Sequence, residues 1–436
     1  MKYFGRSRAM PLEIIAKRKF VDFFLRISGV AAWIFEGATR RFYRIDGGGR
    51  ILILRTAALG DFILSVPALR LLRAAFPKAK LTLLTTASTE QKTAQTVRRY
   101  AGEQSGWLEL LPDNLIDEIV VFSGRLSLRQ ISDLRSSLQE KDFGACFILS
   151  EGFSVGGIIK KIVFLRACGI RSQIFGIRTN AYPKLFPLAQ IGVRRLEHHV
   201  LALIRSIEEC PSVAREDAPP IRFDLSIPAD AHSWALGLLT ELGCAGKEIV
   251  VVAPGSRLEF KKWPEASFGA LITALLKRPQ THILFVGTGQ DLETVAKVRS
   301  TCPDLMDSPR VYDLSGKTQI PQLAALLARA SVFIGNDGGT CHLAAAVGCR
   351  TVSISNGGEI PNSVEPWGNQ RFTARFNPPC APCYRLTFCP EGHRQCVVSI
   401  TVDTVLRLVE TALSEKSSST HPLSSISCAG VDVMTH

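Results

Sequence analysis

Two stretches of this 436-residue chain alternate short apolar runs with amphipathic helical runs, and no other feature narrows its fold as much. From Arg50 onward, Ile51 to Leu54, Leu81 to Thr85, Ile119 to Phe122 and Cys146 to Leu149 read as strands, with helical segments between them that include Ser127 to Gln139. Such runs suit strands buried on both faces, and their alternation with helices means a parallel sheet covered on both sides. A second series follows, with strands expected at Ile249 to Ala253, His282 to Val286, Val332 to Ile334 and Thr351 to Ile354. Between the two, Pro211 to Pro228 reads as a linker, with its Pro219-Pro220 pair and mixed charges. The expectation is an α/β chain with two doubly wound, Rossmann-like domains at 50–225 and 226–415 and a cleft between them. An extension at 1–49 precedes them, and a Ser-rich tail at 416–436 without apolar periodicity is expected to be disordered.

The formal charge of +13 is unevenly spread: the first fifty residues hold eleven Lys/Arg against four Asp/Glu, or +7, leaving +6 for the other 386. A nucleic-acid-binding domain would carry its positive stripe on the fold itself, so nucleic acid is not the expected partner. In the extension, Ile14 to Phe35 is rich in Phe, Val and Ile, with Arg18, Asp22 and Arg26 recurring every four residues. That is the pattern of an amphipathic helix lying on an anionic membrane surface, although a helix packed on the domain would read similarly. Asp22 and Arg26 interrupt the apolar stretch, which argues against a transmembrane span and against a cleaved signal peptide.

Chemistry is expected where strands end. In ILILRTAALGDFILSVPALRLLRAAF, from Ile51 to Phe76, a buried strand passes through Gly60 and Asp61 into a helix with an apolar stripe of Leu64, Leu69, Leu72 and Phe76. Open α/β sheets place ligands at the carboxyl ends of strands, so Asp61 is a candidate catalytic acid; an Asp after Gly is also a common helix N-cap. In the second series IVVVAPGS runs into GSRLEFKKWPEASF, where Gly255 and Ser256 free a turn and Arg257, Lys261 and Lys262 supply cations for an anion. Further on, a strand ends at Ile334 and Asn336-Asp337-Gly338-Gly339-Thr340 turn into a helix carrying His342. Free N–H groups at that helix start suit a diphosphate. A solvated basic loop and a structural histidine are the plainer readings of these two segments.

Eight of the twelve cysteines are scattered singly and read as small buried hydrophobes. The other four, Cys380, Cys383, Cys389 and Cys396, have the spacing Cys-x2-Cys-x5-Cys-x6-Cys with His393 among them. Four thiols opening on a C-x2-C knuckle are compatible with structural zinc, while disulfides and reduced thiols stay open alternatives.

Taken together, ILILRTAALGDFILSVPALRLLR, PGSRLEFKKWPEASF, FVGTGQDLE, DLSGKTQIPQLAALLARASVFIGNDGGTCHLAAAVG and the trailing CAPCY with two later cysteines resemble glycosyltransferase family 9, the ADP-heptose:lipopolysaccharide heptosyltransferases. The resemblance spans roughly Arg50 to Glu410. It implies a GT-B fold, with donor bound mainly by the C-terminal domain and acceptor by the N-terminal one. It implies Asp61 as catalytic base after the loop glycine Gly60, Lys261 and Ser256 as groups on the donor phosphates, and Asp337 as the acid on the donor sugar. His342 matches the histidine of the D-x-G-x-x-H pattern, and Asp291 or Glu293 falls near the acid expected on the ribose. One departure is Gly338, where the family commonly has Ser or Thr, so that backbone N–H groups of Gly338 and Gly339 must serve in place of a hydroxyl.

The reaction so implied is inverting transfer of a heptose from a nucleotide diphosphate to a hydroxyl of the lipopolysaccharide inner core. Asp61 would take the proton, while Lys261, Ser256 and the helix start oppose the leaving charge without a catalytic metal. The acceptor is a membrane glycolipid, so the expected location is the cytoplasmic face of the inner membrane. Lys160, Lys161 and Arg166 in VGGIIKKIVFLRACGI are candidates to meet anionic headgroups or core sugars. A nucleotide-sugar 2-epimerase-like enzyme, another GT-B glycosyltransferase and a non-catalytic sugar-nucleotide-binding protein are the alternatives. A nicotinamide oxidoreductase is disfavoured because GTGQDLE lacks a full G-x-G-x-x-G.

Overall fold

The computed structural model describes residues 48–56, 58–86, 95–97, 106–122, 127–150, 155–177, 197–213, 220–302, 308–383 and 388–415. The amphipathic helix expected at 14–35 and the tail at 416–436 lie outside these residues.

The first sheet holds β1 (Arg50–Leu54), β2 (Lys80–Thr86), β3 (Gln95–Val97), β4 (Glu118–Phe122), β5 (Phe143–Ile148) and β6 (Gln173–Phe175), in the order β3-β4-β2-β1-β5-β6. All pairings are parallel except β3 with β4. Its helices are α1 (Leu59–Ile63), α2 (Val66–Ala75), α3 (Leu128–Gln139), α4 (Val155–Ala167) and α5 (His199–Glu208). Period-two alternation along β1 feeds two cores at once. Ile51 and Ile53 join the cluster containing Leu69, Leu72 and Leu203, while Leu52 and Leu54 join Leu134, Leu138 and Leu165 on the other face. An all-apolar run is therefore what this strand requires, and each buried Leu or Ile contributes roughly 1.5–3 kcal/mol. Ser127 starts α3 with a capping box, accepting from the Gln130 N–H while its own N–H is taken by the Gln130 side chain.

In the second sheet, β7 (Glu248–Ala253), β8 (Thr281–Phe285), β9 (Val311–Asp313), β10 (Val332–Asn336), β11 (Thr351–Ser355) and β12 (Thr373–Arg375) are all parallel, in the order β12-β11-β10-β7-β8-β9. Its helices are α6 (Ala229–Glu241), α7 (Glu265–Leu276), α8 (Leu292–Ser300), α9 (Ile320–Leu327), α10 (Gly339–Ala346), α11 (Gln395–Val398) and α12 (Val402–Ser414). Val250 and Val252 pack with Trp263, Phe268, Val295 and Val405, whereas Val251 belongs to the same apolar cluster as Ile51 of the first domain. The two domains thus share one continuous core region.

Strand order reverses at β1, between β2 and β5, and at β7, between β8 and β10. Ligand crevices of doubly wound sheets lie at such switch points. The Gly60-Asp61 loop follows β1, and the Gly255–Trp263 loop and Asp337 follow β7 and β10.

Candidate functional site

On the first-domain side, the expected single helix after β1 is broken into α1 and α2 near Ser65, with Pro67 in the first turn of α2. Ala58 occupies the N-cap of α1 and makes no side-chain cap, so Asp61 is not the N-cap residue. It sits in the first turn of α1, where an acid is favoured by the helix dipole, and its side chain is exposed. Gly60 beside it is buried against the second domain: a Cβ there would lie 2.7 Å from His342 Cδ2 and 2.9 Å from Gly339 Cα. The start of α1 thus rests directly on the start of α10, and only a residue without a side chain permits it.

On the second-domain side, Lys261 Nζ lies 2.9 Å from Asp337 Oδ2 with both side chains largely buried. Burial would lower the Lys261 ammonium, but Asp337, aided by Glu359 and Asp61, outweighs it and holds the group above the ordinary lysine value. Burial likewise pushes the Asp337 carboxyl up, and the Lys261 charge and hydrogen bond pull it net below the carboxylate range. Burial holds the His342 imidazole low, although Asp337 and Asp61 pull it upward. His342 is therefore neutral at neutral pH, and its Nδ1 has no partner among the described residues. The Asp61 charge contributes to the electrostatics of both Lys261 and His342, so the candidate base lies within electrostatic reach of them.

The Gly255–Trp263 loop is anchored by residues that the motif reading did not single out. Asn336, at the end of β10, accepts from the Trp263 N–H at 2.9 Å and donates to the Pro254 carbonyl at 2.7 Å. Trp263 is fully buried and its indole donates to the Ile400 carbonyl at 2.9 Å. Lys261 is thereby fixed between two tied points. Glu365 and Arg375 form a buried pair at 2.6 Å, and His198, from the first half of the chain, bonds the Glu365 carbonyl at 2.8 Å. The only sequence signal for these is polar residues interrupting or ending apolar runs.

The other expected residues fare differently. Ser256 Oγ accepts from the Leu258 N–H at 3.3 Å, closing its own turn. Asp291 Oδ2 bonds the Thr288 N–H and hydroxyl, each at 2.8 Å, and its carboxyl packs into a cradle that a Cβ on Gly255 or Gly287 would fill. Glu293 is 79% exposed and paired with Lys297 at 2.8 Å; of the two acids, Asp291 is the one packed against Gly255. Gly338 is extended with φ −178°, and a Cβ there would meet only the Asn336 carbonyl at an ordinary 3.6 Å, so nothing steric excludes Ser or Thr. On α4, Lys160 is exposed, Lys161 donates to the Ser150 hydroxyl, and Arg166 donates to the Ile170 and Ser172 carbonyls at 2.7 and 3.1 Å. Arg166 Nη1 is thus engaged at its own helix end, in a side chain that stays partly exposed. The described cysteines, Cys380, Cys383, Cys389 and Cys396 included, are free thiols. Cys380 Sγ is 3.8 Å from His393 Nε2 and within electrostatic reach of the other three thiols. Among the described residues, no group of three His, Cys, Asp or Glu side chains is placed to hold a metal ion.

Residues 190–392, which include Ser256, Lys261, Asp291, Asp337 and His342, match the family model described as glycosyltransferase family 9 (heptosyltransferase). Over that stretch the chain is similar to glycosyltransferase family 9. A relative, lipopolysaccharide heptosyltransferase 3 of Escherichia coli, is 36% identical over 125 residues, covering 28% of this chain and 35% of that protein. The chain thus matches about a third of that relative's length. Among solved structures, a family-9 glycosyltransferase from Veillonella parvula superposes with a TM-score of 0.61 at 17% identity, covering 84% of this chain and 97% of that one. ADP-heptose lipopolysaccharide heptosyltransferase II of Escherichia coli gives 0.57 at 19% identity, covering 84% and 98%. At such identity the likeness is one of fold. The chain shares with these structures the GT-B architecture of two facing parallel-sheet domains.

Proposed function

We propose that this chain is an inverting heptosyltransferase that moves a heptose from a nucleotide diphosphate, ADP-heptose, to a hydroxyl of the lipopolysaccharide inner core. The observation that carries this reading is the packing of Gly60 on Gly339 and His342. It brings a carboxylate from one domain beside an ion-paired lysine and a helix start from the other. Asp61 takes the proton of the acceptor hydroxyl as that oxygen attacks the anomeric carbon, and a single displacement inverts the centre. Charge grows on the departing diphosphate, where Lys261 and the N–H groups at the start of α10 oppose it. Asp337 holds Lys261 until the diphosphate arrives, and the neutral His342 has a ring nitrogen free to bond donor oxygens. Asp291, next to Gly255 and Gly287, is the acid for the ribose. Incubation of purified protein with ADP-heptose and a defined core acceptor tests the reading: an inverted glycoside seen by NMR is expected. Donor consumption without acceptor-dependent product would overturn it.

The acceptor reading places the enzyme at the cytoplasmic face of the inner membrane. Among the described residues no helix is long and apolar enough to cross a membrane. A peripheral contact is supported by the basic 1–49 extension and by α4, whose Ile159 and Val163 are exposed beside Lys160. Deleting Met1 to Ile45 should move the protein out of the membrane fraction; unchanged fractionation would remove the extension from the account. The four-thiol segment is proposed as a zinc staple away from the chemistry on its spacing and the mutual proximity of its thiols, although their present placement closes no coordination sphere. Metal analysis near one equivalent is the supporting result, and metal-free protein the opposing one.

A further inference from the structure

Arg55 is the residue directly after β1 and is among the largest fully buried side chains, at 1% exposure. Its N–H donates to the Leu84 carbonyl at 3.0 Å, continuing the ladder to β2, while the Leu149 N–H donates to the Leu54 carbonyl at 3.0 Å on the β5 side. Its guanidinium turns up to the carboxyl edge of the sheet, where Nη1 donates to the Leu149 carbonyl at 3.1 Å and Nη2 to the Asp61 main-chain carbonyl. One rigid fork therefore joins the end of β5 to the first turn of α1.

Burying a guanidinium carries a desolvation cost of several kcal/mol, and a position that needed only to fill space between strands would be served by Leu or Met. The planar donors fix the two carbonyls at a set separation, which a flexible ammonium does not. On its other side the same turn is stopped by the contact of Gly60 with Gly339 and His342. Asp61 is thus held between a fork from its own sheet and a wall from the partner domain.

We propose that Arg55 is a positioning residue for Asp61, setting the place of the candidate base and supplying a fixed positive charge behind it. The proposal rests on the transferase reading for its kinetic consequence, but not for its electrostatic one. Arg55→Gln should lower kcat about 100-fold, the scale of a displaced reacting group, with the Kd for ADP-heptose within about twofold of wild type. The midpoint of the acid limb of the kcat profile should rise by about 1 pH unit, because a cation near the carboxylate has been removed. Arg55→Lys keeps the charge but loses the fork, so kcat should fall while the acid limb stays in place. In an Asp61→Ala background, Arg55→Gln should cause no further loss. Wild-type kcat in Arg55→Gln would overturn the proposal, as would parallel losses of kcat, donor affinity and Tm with an unmoved acid limb. Should Arg55→Gln not fold, wild-type kcat in Arg55→Lys overturns it. If the wild type transfers heptose to no core acceptor, the transferase reading fails by itself. The titration of Asp61 followed by carboxyl 13C NMR then decides, and a midpoint unmoved by Arg55→Gln sinks the positioning role.

Discussion

On the second-domain side of the cleft the candidate groups hold one another: Lys261 is paired with Asp337, its loop is tied by Asn336 and Trp263, and Asp291 closes a capping box with Thr288. On the first-domain side, among the described residues, the candidate base is exposed and its place is set through main chain, by Arg55 at the Asp61 carbonyl and by Gly60 against α10. The second-domain side is preorganised by charge, and the first-domain side, among the described residues, by backbone contact. On the proposed reading, a diphosphate entering the former would find a lysine that is already desolvated. On the same reading, an acceptor entering the latter would meet a carboxylate exposed on the first turn of α1.

The sharpest test of this contrast is Asp61→Ala, expected to reduce transfer by about 10²–10⁴-fold while leaving donor affinity intact. A mutant with comparable turnover would remove the base from the first half altogether. Lys261→Ala should act on both binding and folding, because it strands the buried Asp337 carboxylate. A stability loss of about 3 kcal/mol by denaturant titration and loss of donor binding are expected.

The pair also sets a pH window. The Asp337 carboxyl is lowered in the fold, so its contribution is complete above its unfolded value near pH 4 and fades as pH falls through the lower folded value. The Lys261 ammonium is raised, so its contribution is complete below its unfolded value near pH 10.4 and fades as pH rises through the higher folded value. The pair should therefore add nothing to the slope of Tm between about pH 5 and 9, and Asp337→Asn should lessen the acid-side fall.

Gly60→Ala should leave Lys261 and Asp337 paired but force α1 off α10, costing about 1–3 kcal/mol at the domain contact. A fall in kcat with unchanged donor Kd is expected, and a fall in donor affinity instead would show that the two halves are not separable. The smallest effect is expected from Gly338→Ser. Space exists for the side chain, and one added hydroxyl donor should tighten donor binding by about 3–10-fold in calorimetry.

Much of this molecule was legible before any coordinates. Each of the eight expected strands is present within a few residues, because runs such as Ile51 to Leu54 are too apolar to sit anywhere but between two helical layers. Four strands were not foreseen: β3, β6, β9 and β12 each span three residues, too few to show periodicity. Asp61, Lys261, Asp337 and His342 could be named from local motifs because a strand end, a turn and a helix start follow one another in the chain. Glu293 could not be separated from Asp291, since two acids two residues apart differ only in which side of a helix they occupy.

The sequence by itself thus determined the two sheets, their strand ends and the residues standing there, because side-chain periodicity and turn chemistry are local. Only the tertiary structure decided which of those residues meet. Gly60 against His342, Arg55 under Asp61 and Asn336 beneath the Lys261 loop are contacts made between strand ends and across domains. Their partners come from separate elements, and in two of the three cases from sequence positions far apart. Such pairings are fixed by sheet order and domain packing, which no local pattern encodes.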